Sequence, residues 1–192
     1  MLCKSRTGDL TANAASLLRS LTGVTHHAIR VIVETPKRSR NKYAFDERER
    51  AFKLKKVLPV GMAFPYDFGF IPSTRAEDGD PVDVLVLMDE PAFPGCVLSC
   101  RPIGVVEGEQ TSRKDKQTIR NDRIIAVEDG NHSYATIEHV DDLGKPFVHE
   151  LAEFFVNYHQ LDEERFRVID VRGPRHARRR IEVGRKAYRK KR

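Results

Sequence analysis

The sequence predicts an α+β protein in which a small, strongly curved sheet or barrel packs against helices. Short β-branched segments, separated by turn residues, fill most of the chain between residues 28 and 127. Helical periodicity appears only after those segments. The chain has 192 residues, of which 40% are hydrophobic, enough for one domain with a sizeable core.

Runs of β-branched and aromatic residues predict the strands of this sheet. In chain order they occupy residues 28–34, 43–46, 52–58, 84–88, 97–101, 103–106, 123–127 and 166–171. Residues 59–72 combine Pro, Gly and aromatic side chains, which predicts an ordered, packed loop. Residues 107–122 are polar, and residues 113–116 are expected to form their exposed tip.

Helices are expected at both ends and after the strands. An apolar stripe at helical spacing is formed by Phe147, Leu151, Phe154, Phe155 and Tyr158. Residues 1–25 are an N-terminal extension, either a short helix or disordered. Residues 176–192 are a basic C-terminal helix or tail that frays after residue 188, which leaves 26–175 as the barrel domain.

The distribution of charge and the cysteine content indicate which compartment and which kinds of site to expect. The formal net charge is +6, but the basic excess lies in residues 172–192, where Glu182 is the single acid. The three cysteines form no pair of C-x-x-C motifs, which favours reduced thiols over a disulfide framework or a zinc site. There is no apolar stretch long enough for a signal peptide or a membrane span, so we expect a cytoplasmic protein without a membrane partner.

The most distinctive segment is a turn with three carboxylates in six residues, Asp78, Asp80 and Asp83. Gly79 and Pro81 bend this turn, and an apolar run that predicts a buried strand follows it. Carboxylates that converge on one centre suit Mg²⁺ or Mn²⁺. A plain polar turn has the same composition, so the pattern by itself leaves both interpretations open.

Basic and acidic clusters surround this turn in the sequence. Basic residues at 37–42 and 53–56 precede it, and Glu107, Glu109, Asp122 and Arg123 follow it. In one compact barrel these groups would share a mouth, with carboxylates for metal and cations for phosphoryl oxygens. Metal-assisted phosphoryl transfer needs these groups. The alternative is that the basic clusters are solvated surface.

Five segments together resemble the soluble family I inorganic pyrophosphatases. They are Asp-Gly-Asp-Pro-Val-Asp-Val-Leu-Val at 78–86, the aromatic-Gly segment 64–72, Cys-Arg-Pro-Ile-Gly-Val at 100–105, the strand 123–127 and the helix ending in Tyr158. The resemblance runs from about Ile29 to Val171 with matching order and spacing. It implies an OB-like five-stranded barrel with flanking helices that hydrolyses diphosphate to two phosphates with Mg²⁺. It also implies a homo-oligomer, a dimer or a hexamer.

The resemblance assigns roles to individual residues. Asp78 and Asp83 would be metal ligands, and Asp80 would orient or deprotonate the attacking water. Glu34 matches an acid at the rim of the site, counted with the metal ligands. The groups expected to bind substrate phosphates are Lys42, Lys56, Arg123 and Tyr158, the last of which would donate its hydroxyl to the leaving phosphate.

Several positions depart from the family pattern. Ala44 stands where the family often has Glu, Phe68 where a Tyr that contacts substrate is common, and His159 where Lys is usual. Lys56 replaces an Arg and so loses the bidentate fork of a guanidinium. Arg123 stands in place of a Lys.

Two further Asp ligands of the family have no simple counterpart. The chain offers Glu109 or Gln110 for one, and Asn121 or Asp122 for the other. We expect Asp122, because an amide would leave the cluster short of negative charge for several divalent cations. Glu109 is the candidate for the other ligand.

Two alternatives to an active enzyme follow from the sequence. The departures at Ala44, Phe68 and Gln110 motivate the alternative of a catalytically impaired relative that keeps the fold. An OB-like module with a basic C-terminal helix that binds nucleic acid needs exposed stacking aromatics and a continuous basic groove. The aromatics instead cluster at 64–70 beside the acids, so no specific nucleic acid is expected.

Overall fold

A computed structural model describes residues 28–114 and 116–191 of the chain. The expected N-terminal extension, residues 1–25, lies outside the described residues. So do Asp115, within the expected polar tip, and the terminal Arg192.

The described residues form strands first and helices afterwards, as the sequence predicts. The strands are β1 (Ile29–Thr35), β2 (Asn41–Asp46), β3 (Ala51–Val57), β4 (Asp67–Ile71), β5 (Val82–Leu87), β6 (Val97–Ser112), β7 (Thr118–Arg120), β8 (Arg123–Glu128) and β9 (Glu164–Arg172). The helices are α1 (Gly144–Gln160), which follows a short 3-10 helix at Val140–Leu143, and α2 (Pro174–Lys190).

Five strands close into a ring in the order β1-β4-β5-β8-β6, because β6 also pairs with β1. The pairing of β5 with β8 is parallel, and the other pairings of the ring are antiparallel. Strands β7 and β9 extend the sheet along β6, while β2 and β3 form a separate hairpin. This barrel-like ring with two helices confirms the expected OB-like α+β fold.

Two hydrophobic clusters lie on opposite faces of the ring. Strand β5 contributes to both, because successive side chains of a strand point to opposite faces. Val84 packs in the cluster with Ile181 of α2, and Leu85 packs in the cluster with Phe155 of α1. Burying one such side chain contributes about 1.5–3 kcal/mol, so each helix is held to the sheet by its apolar stripe.

The expected loop at 59–72 is wrong over its second half, because Asp67–Ile71 is the fully buried strand β4. Gly69 explains the error. A Cβ at this position would lie 2.1 Å from the carbonyl oxygen of Ile32 in β1, so glycine is required for the close approach of two backbones. The glycine and aromatic pattern that suggests a loop therefore belongs to a strand.

The polar stretch after residue 106 is also more regular than predicted. Instead of two short strands and a loop, β6 is one strand of 16 residues that bends where Pro102 and Gly104 face β8. Beyond the bend it continues as a partner of β9 and β7. At the chain end α2 stays helical to Lys190, further than predicted. None of the helices in the described ranges is long and apolar enough to cross a membrane.

Candidate functional site

The turn with the three aspartates is fixed at the entrance of β5. The backbone N–H of Asp80 donates to Oδ1 of Asp78 at 3.0 Å, and Gly79 has a φ of +96°, which favours glycine. The hydroxyl of the buried Thr74 accepts a hydrogen bond from the N–H of Val82 at 2.9 Å. The carboxylates therefore project from a turn whose backbone is held by hydrogen bonds at Asp80 and at Val82.

Negative charge is crowded in this turn. Asp78 lies at the surface, yet incomplete solvation raises the pKa of its carboxyl to about 6, and Asp83 and Asp80 add to this effect. Burial also raises the pKa of the Asp83 carboxyl, opposed by the nearby charges of Arg123 and Lys42. A cation placed among these carboxylates would relieve their repulsion.

Arg123 is the first residue of β8 and pairs with Asp83. The parallel register of β5 and β8 sets Val84 opposite Ile124, and this places Arg123 beside Asp83. The Nη1 atom of Arg123 lies 3.0 Å from Oδ2 of Asp83, and Arg123 is only 4% exposed. The result is a buried guanidinium directed at the carboxylate turn.

A chain of hydrogen bonds leads away from Arg123. The guanidinium donates to the amide oxygen of Asn121, and the amide nitrogen of Asn121 donates to the amide oxygen of Gln110. The amide nitrogen of Gln110 donates to the Glu164 carboxylate at 2.6 Å. That carboxylate also lies 3.1 Å from Nδ1 of His159.

His159 ends this chain as a buried, neutral imidazole. It is 4% exposed and stacks on Phe166 with ring centroids 4.9 Å apart. Burial lowers its pKa to about 3, and the charges of Arg123 and Lys56 contribute. At neutral pH His159 therefore adds no positive charge to the site.

Lys42 and Glu34 form a second ion pair facing the turn. Their Nζ and Oε2 atoms are 3.2 Å apart, and the other carboxylate oxygen of Glu34 accepts from the N–H of Phe45 at 2.8 Å. The ammonium lies 4.1 Å from the centroid of Phe68. Burial raises the pKa of the Glu34 carboxyl and lowers the pKa of the Lys42 ammonium. The negative charge of Asp83 favours the protonated form of both groups, so it adds to the shift of Glu34. Together with the charge of Glu34, it opposes the shift of Lys42.

Lys56 and Tyr158 complete the same region. The Lys56 ammonium lies 3.8 Å from the centroid of the Tyr158 ring and forms an ion pair with Asp162. Burial raises the pKa of the Tyr158 hydroxyl, so this group stays a hydrogen-bond donor at neutral pH. The ring packs against Phe64 with centroids 5.6 Å apart, which fixes its orientation.

The two other expected ligands, Asp122 and Glu109, are not brought to this cluster. Asp122 pairs with Arg120 at 2.9 Å and with Arg180 of α2 at 3.1 Å. Glu109 pairs with Arg167 at 2.6 Å. Their neighbours Asn121 and Gln110 lie in the chain of hydrogen bonds from Arg123 instead.

Sequence reasoning missed two members of the site, Glu164 and Asp162. Both follow α1 directly, and neither belongs to a local motif that marks it. Their roles depend on partners far away along the chain, Gln110 and Lys56. The acid-rich composition of residues 162–164 was the one available signal.

The carboxylates of the turn are the kind of ligand that Mg²⁺ prefers, but they do not form a complete set of protein ligands around one point. In the two described ranges, no three His, Cys, Asp or Glu side chains lie close enough together to hold a metal ion. Magnesium typically uses one or two carboxylates and keeps several waters, with substrate phosphates as further ligands. Three carboxylates lie within six residues here, and the charges of Asp83 and Asp80 add to the effect of desolvation on the pKa of Asp78, so the donors fit a hydrated divalent cation.

Comparisons with known proteins agree with this geometry. The sequence profile described as "Inorganic pyrophosphatase" matches residues 31–189. An inorganic pyrophosphatase of Synechocystis is 40% identical over 136 residues, which are 71% of this chain and 77% of that protein. One of Methanosarcina acetivorans is 36% identical over 143 residues, 74% of this chain and 82% of that protein. The crystal structure of inorganic pyrophosphatase from Thermus thermophilus superposes with a TM-score of 0.77 and 31% identity, covering 86% of this chain and 93% of that one.

Proposed function

The chain belongs to the inorganic pyrophosphatase family, and from this premise we propose that it hydrolyses inorganic diphosphate to two phosphates with Mg²⁺ as cofactor. One observation supports the proposal above the others. The turn carrying Asp78, Asp80 and Asp83 faces the buried guanidinium of Arg123, which pairs with Asp83 at 3.0 Å. Carboxylates for a cation and a fixed cation for phosphate thus meet at one point.

Asp78 and Asp83 are the proposed ligands of the cation, with Glu34 at the rim. A Mg²⁺ held by these carboxylates would supply positive charge against the phosphoryl oxygens and make the attacking water more acidic. Glu109 and Asp122 are left out of the proposed set, because arginines already engage their carboxylates.

Asp80 is the proposed acceptor of the proton from the attacking water. Its carboxylate lies at the exposed tip of the turn, and its own backbone N–H is bound to Asp78. As the water oxygen bonds to one phosphorus, its proton passes to Asp80 and the bridging P–O bond breaks. General bases positioned in this way typically contribute 10²–10⁴-fold.

The cations and the phenol hold the substrate. Lys42, Lys56 and Arg123 would bind phosphate oxygens and offset the charge that spreads over them in the transition state. Tyr158 would donate its hydroxyl to the leaving phosphate, a role that its raised pKa supports, because the proton stays on the oxygen. Existing contacts with Glu34, Asp162 and Asp83 hold the three cations in place before substrate arrives.

A slow enzyme is a second candidate, favoured by the neutral side chains Asn121, Gln110 and His159 at positions where the family resemblance implies charged ones. The rate of phosphate release from diphosphate, measured with and without Mg²⁺, distinguishes a slow enzyme from an active one. We expect release that depends on Mg²⁺ and falls about 10²-fold or more in Asp80→Asn. No release with any divalent cation would refute the proposed activity, and full activity of Asp80→Asn would refute the role of Asp80.

We also propose a cytoplasmic homo-oligomer. The exposed apolar side chains of Leu54, Val57 and Val60, which are 54%, 55% and 88% exposed, support an interface beside the β2–β3 hairpin. Light scattering after size-exclusion chromatography tests this. Replacing Leu54 and Val57 by Lys should reduce the measured mass, and an unchanged mass would exclude this surface as the interface.

A further inference from the structure

The side chains next to Arg123 are neutral where a metal cluster would need carboxylates. Asn121 and Gln110 are amides, and both oxygens of the nearest acid along the chain, Asp122, accept hydrogen bonds from arginines outside the cluster. An amide oxygen can bind a divalent cation but cannot balance its charge. The protein supplies the positive charge itself at this place, through Arg123.

The orientation of the amides is dictated by the two ends of the hydrogen-bond chain. Glu164 can only accept, so Gln110 must direct its NH₂ group at that carboxylate and its oxygen at Asn121. Asn121 then has to direct its oxygen at Arg123, which can only donate. The chain therefore fixes the guanidinium against Asp83.

The charges that face one another here allow a single divalent cation. Glu34 and Lys42 cancel as an ion pair. At the turn itself, Asp78, Asp80 and Asp83 contribute three negative charges and Arg123 contributes one positive charge, which leaves two negative charges. Lys56 and Asp162 cancel as an ion pair, and the Glu164 carboxylate lies beyond both amides at the far end of the hydrogen-bond chain. One Mg²⁺ or Mn²⁺ balances them, and a second would leave the site with excess positive charge.

We infer that Arg123, held by the amides of Asn121 and Gln110, stands in for a divalent cation beside Asp83. The site of this chain therefore binds one divalent cation per chain before substrate arrives. This inference rests on the proposed function, since it places the cation at the same turn. It concerns the number of cations, however, and not the turnover of diphosphate.

Equilibrium binding of Mn²⁺ to the full chain without substrate tests the inference, by isothermal titration calorimetry and by electron paramagnetic resonance of free Mn²⁺. We expect one tight Mn²⁺ per chain. In the isosteric double variant Asn121→Asp with Gln110→Glu, the added carboxylates should permit a second tight Mn²⁺. Gln160→Glu, which adds a carboxylate at an exposed position on α1, is the matched control and should keep one.

A second variant tests the role of the guanidinium. Arg123→Gln releases Asp83 from its ion pair, so Mn²⁺ should bind roughly tenfold more tightly or gain a second site, although turnover falls. A purely structural arginine would give weaker Mn²⁺ binding in this variant. Circular dichroism confirms that each variant is folded.

The outcomes separate the two proposals. Two or more tight Mn²⁺ in the wild type, or unchanged or weaker binding in Arg123→Gln, would overturn the inference even if diphosphate is hydrolysed. If the wild type binds one Mn²⁺ per chain, the two variants change this binding as expected and no diphosphate is hydrolysed, the inference is supported and the proposed activity is refuted.

Discussion

The Lys56 ammonium lies 3.8 Å from the centroid of the Tyr158 ring, so a flexible cation and a half-buried phenol occupy one side of the candidate site together. Lys56 comes from the hairpin strand β3, and Tyr158 from the last turn of α1. Asp162, just beyond α1, pairs with the same ammonium. The hairpin, which is not part of the ring, is thereby joined to the helix at the point where substrate phosphate is expected.

Replacing Lys56 by Ala is expected to weaken diphosphate binding. The loss of one charge-assisted hydrogen bond corresponds to about 1.5–3 kcal/mol, or roughly a tenfold to hundredfold lower kcat/KM. Lys56→Arg should retain or improve kcat/KM, because a guanidinium can bind phosphate through two nitrogens. Steady-state phosphate release measures both. The adjacent and exposed Lys55→Ala is the control, and an equal loss there would contradict a specific contact.

Features set by neighbouring residues were predictable from the sequence. The aspartate turn and the apolar strand after it form a local pattern of turn residues and β-branched residues. The stripe that includes Leu151 and Phe155 has helical period, and both side chains are buried as expected. The order of strands before helices follows from the same local signals.

Features that depend on register were not predictable. Successive residues of an extended chain face opposite sides, so a shift of one residue exchanges Asn121 with Asp122 and Glu109 with Gln110. For Glu109 and Gln110, the pairing of β6 with β9 shifts register between Glu107 and Gly108, just before the two residues. Charge alone favoured the acids, whereas the structure places the amides beside Arg123.

The close packing of β4 on β1 predicts a severe effect of Gly69→Ala. The new Cβ would meet the backbone carbonyl of Ile32 at 2.1 Å, and neither backbone can move without disturbing the ring. We expect a loss of about 3 kcal/mol or more in the free energy of unfolding, measured by urea denaturation. Gly130→Ala is the control, since its Cβ would meet only the flexible carboxylate of Glu128 at 3.2 Å. Equal losses in both variants would contradict the packing argument.

The ion pairs of Asp122 predict a role in stability and not in metal binding. Its carboxylate joins Arg120 of β7 to Arg180 of α2, and its side chain is only 11% exposed. Asp122→Asn should lower the free energy of unfolding by roughly 1–3 kcal/mol. It should leave the Mg²⁺ dependence of phosphate release unchanged. Asp141→Asn, which removes an exposed carboxylate, should change neither the free energy of unfolding nor the Mg²⁺ dependence.

A marked rise in the Mg²⁺ concentration that Asp122→Asn needs for half-maximal rate would show that Asp122 is a ligand after all. The proposed ligand set would then have to include it, and the ion pairs with Arg120 and Arg180 would have to open in the working enzyme.

Burial of neutral His159 predicts that acid destabilises the protein in a defined pH window. The folded-state pKa of about 3 lies below the ordinary value of 6.5, because burial opposes protonation and Arg123 and Lys56 add positive charge. Asp162 favours the protonated form but does not outweigh these effects, and the Glu164 carboxylate lies 3.1 Å from the ring. Between these pH values the unfolded chain binds a proton that the folded chain does not.

The contribution of His159 to stability is therefore complete above pH 6.5 and is lost as the pH falls towards 3. Between pH 6 and 4.5 it should remove about 1.4 kcal/mol of unfolding free energy per pH unit, measured by urea denaturation. His159→Gln, which cannot be protonated, should show a shallower dependence by about that amount. The exposed His149→Gln should follow the wild type. Parallel curves for the wild type and His159→Gln would mean that the imidazole becomes charged inside the fold, and the site would then carry one more cation than its geometry indicates.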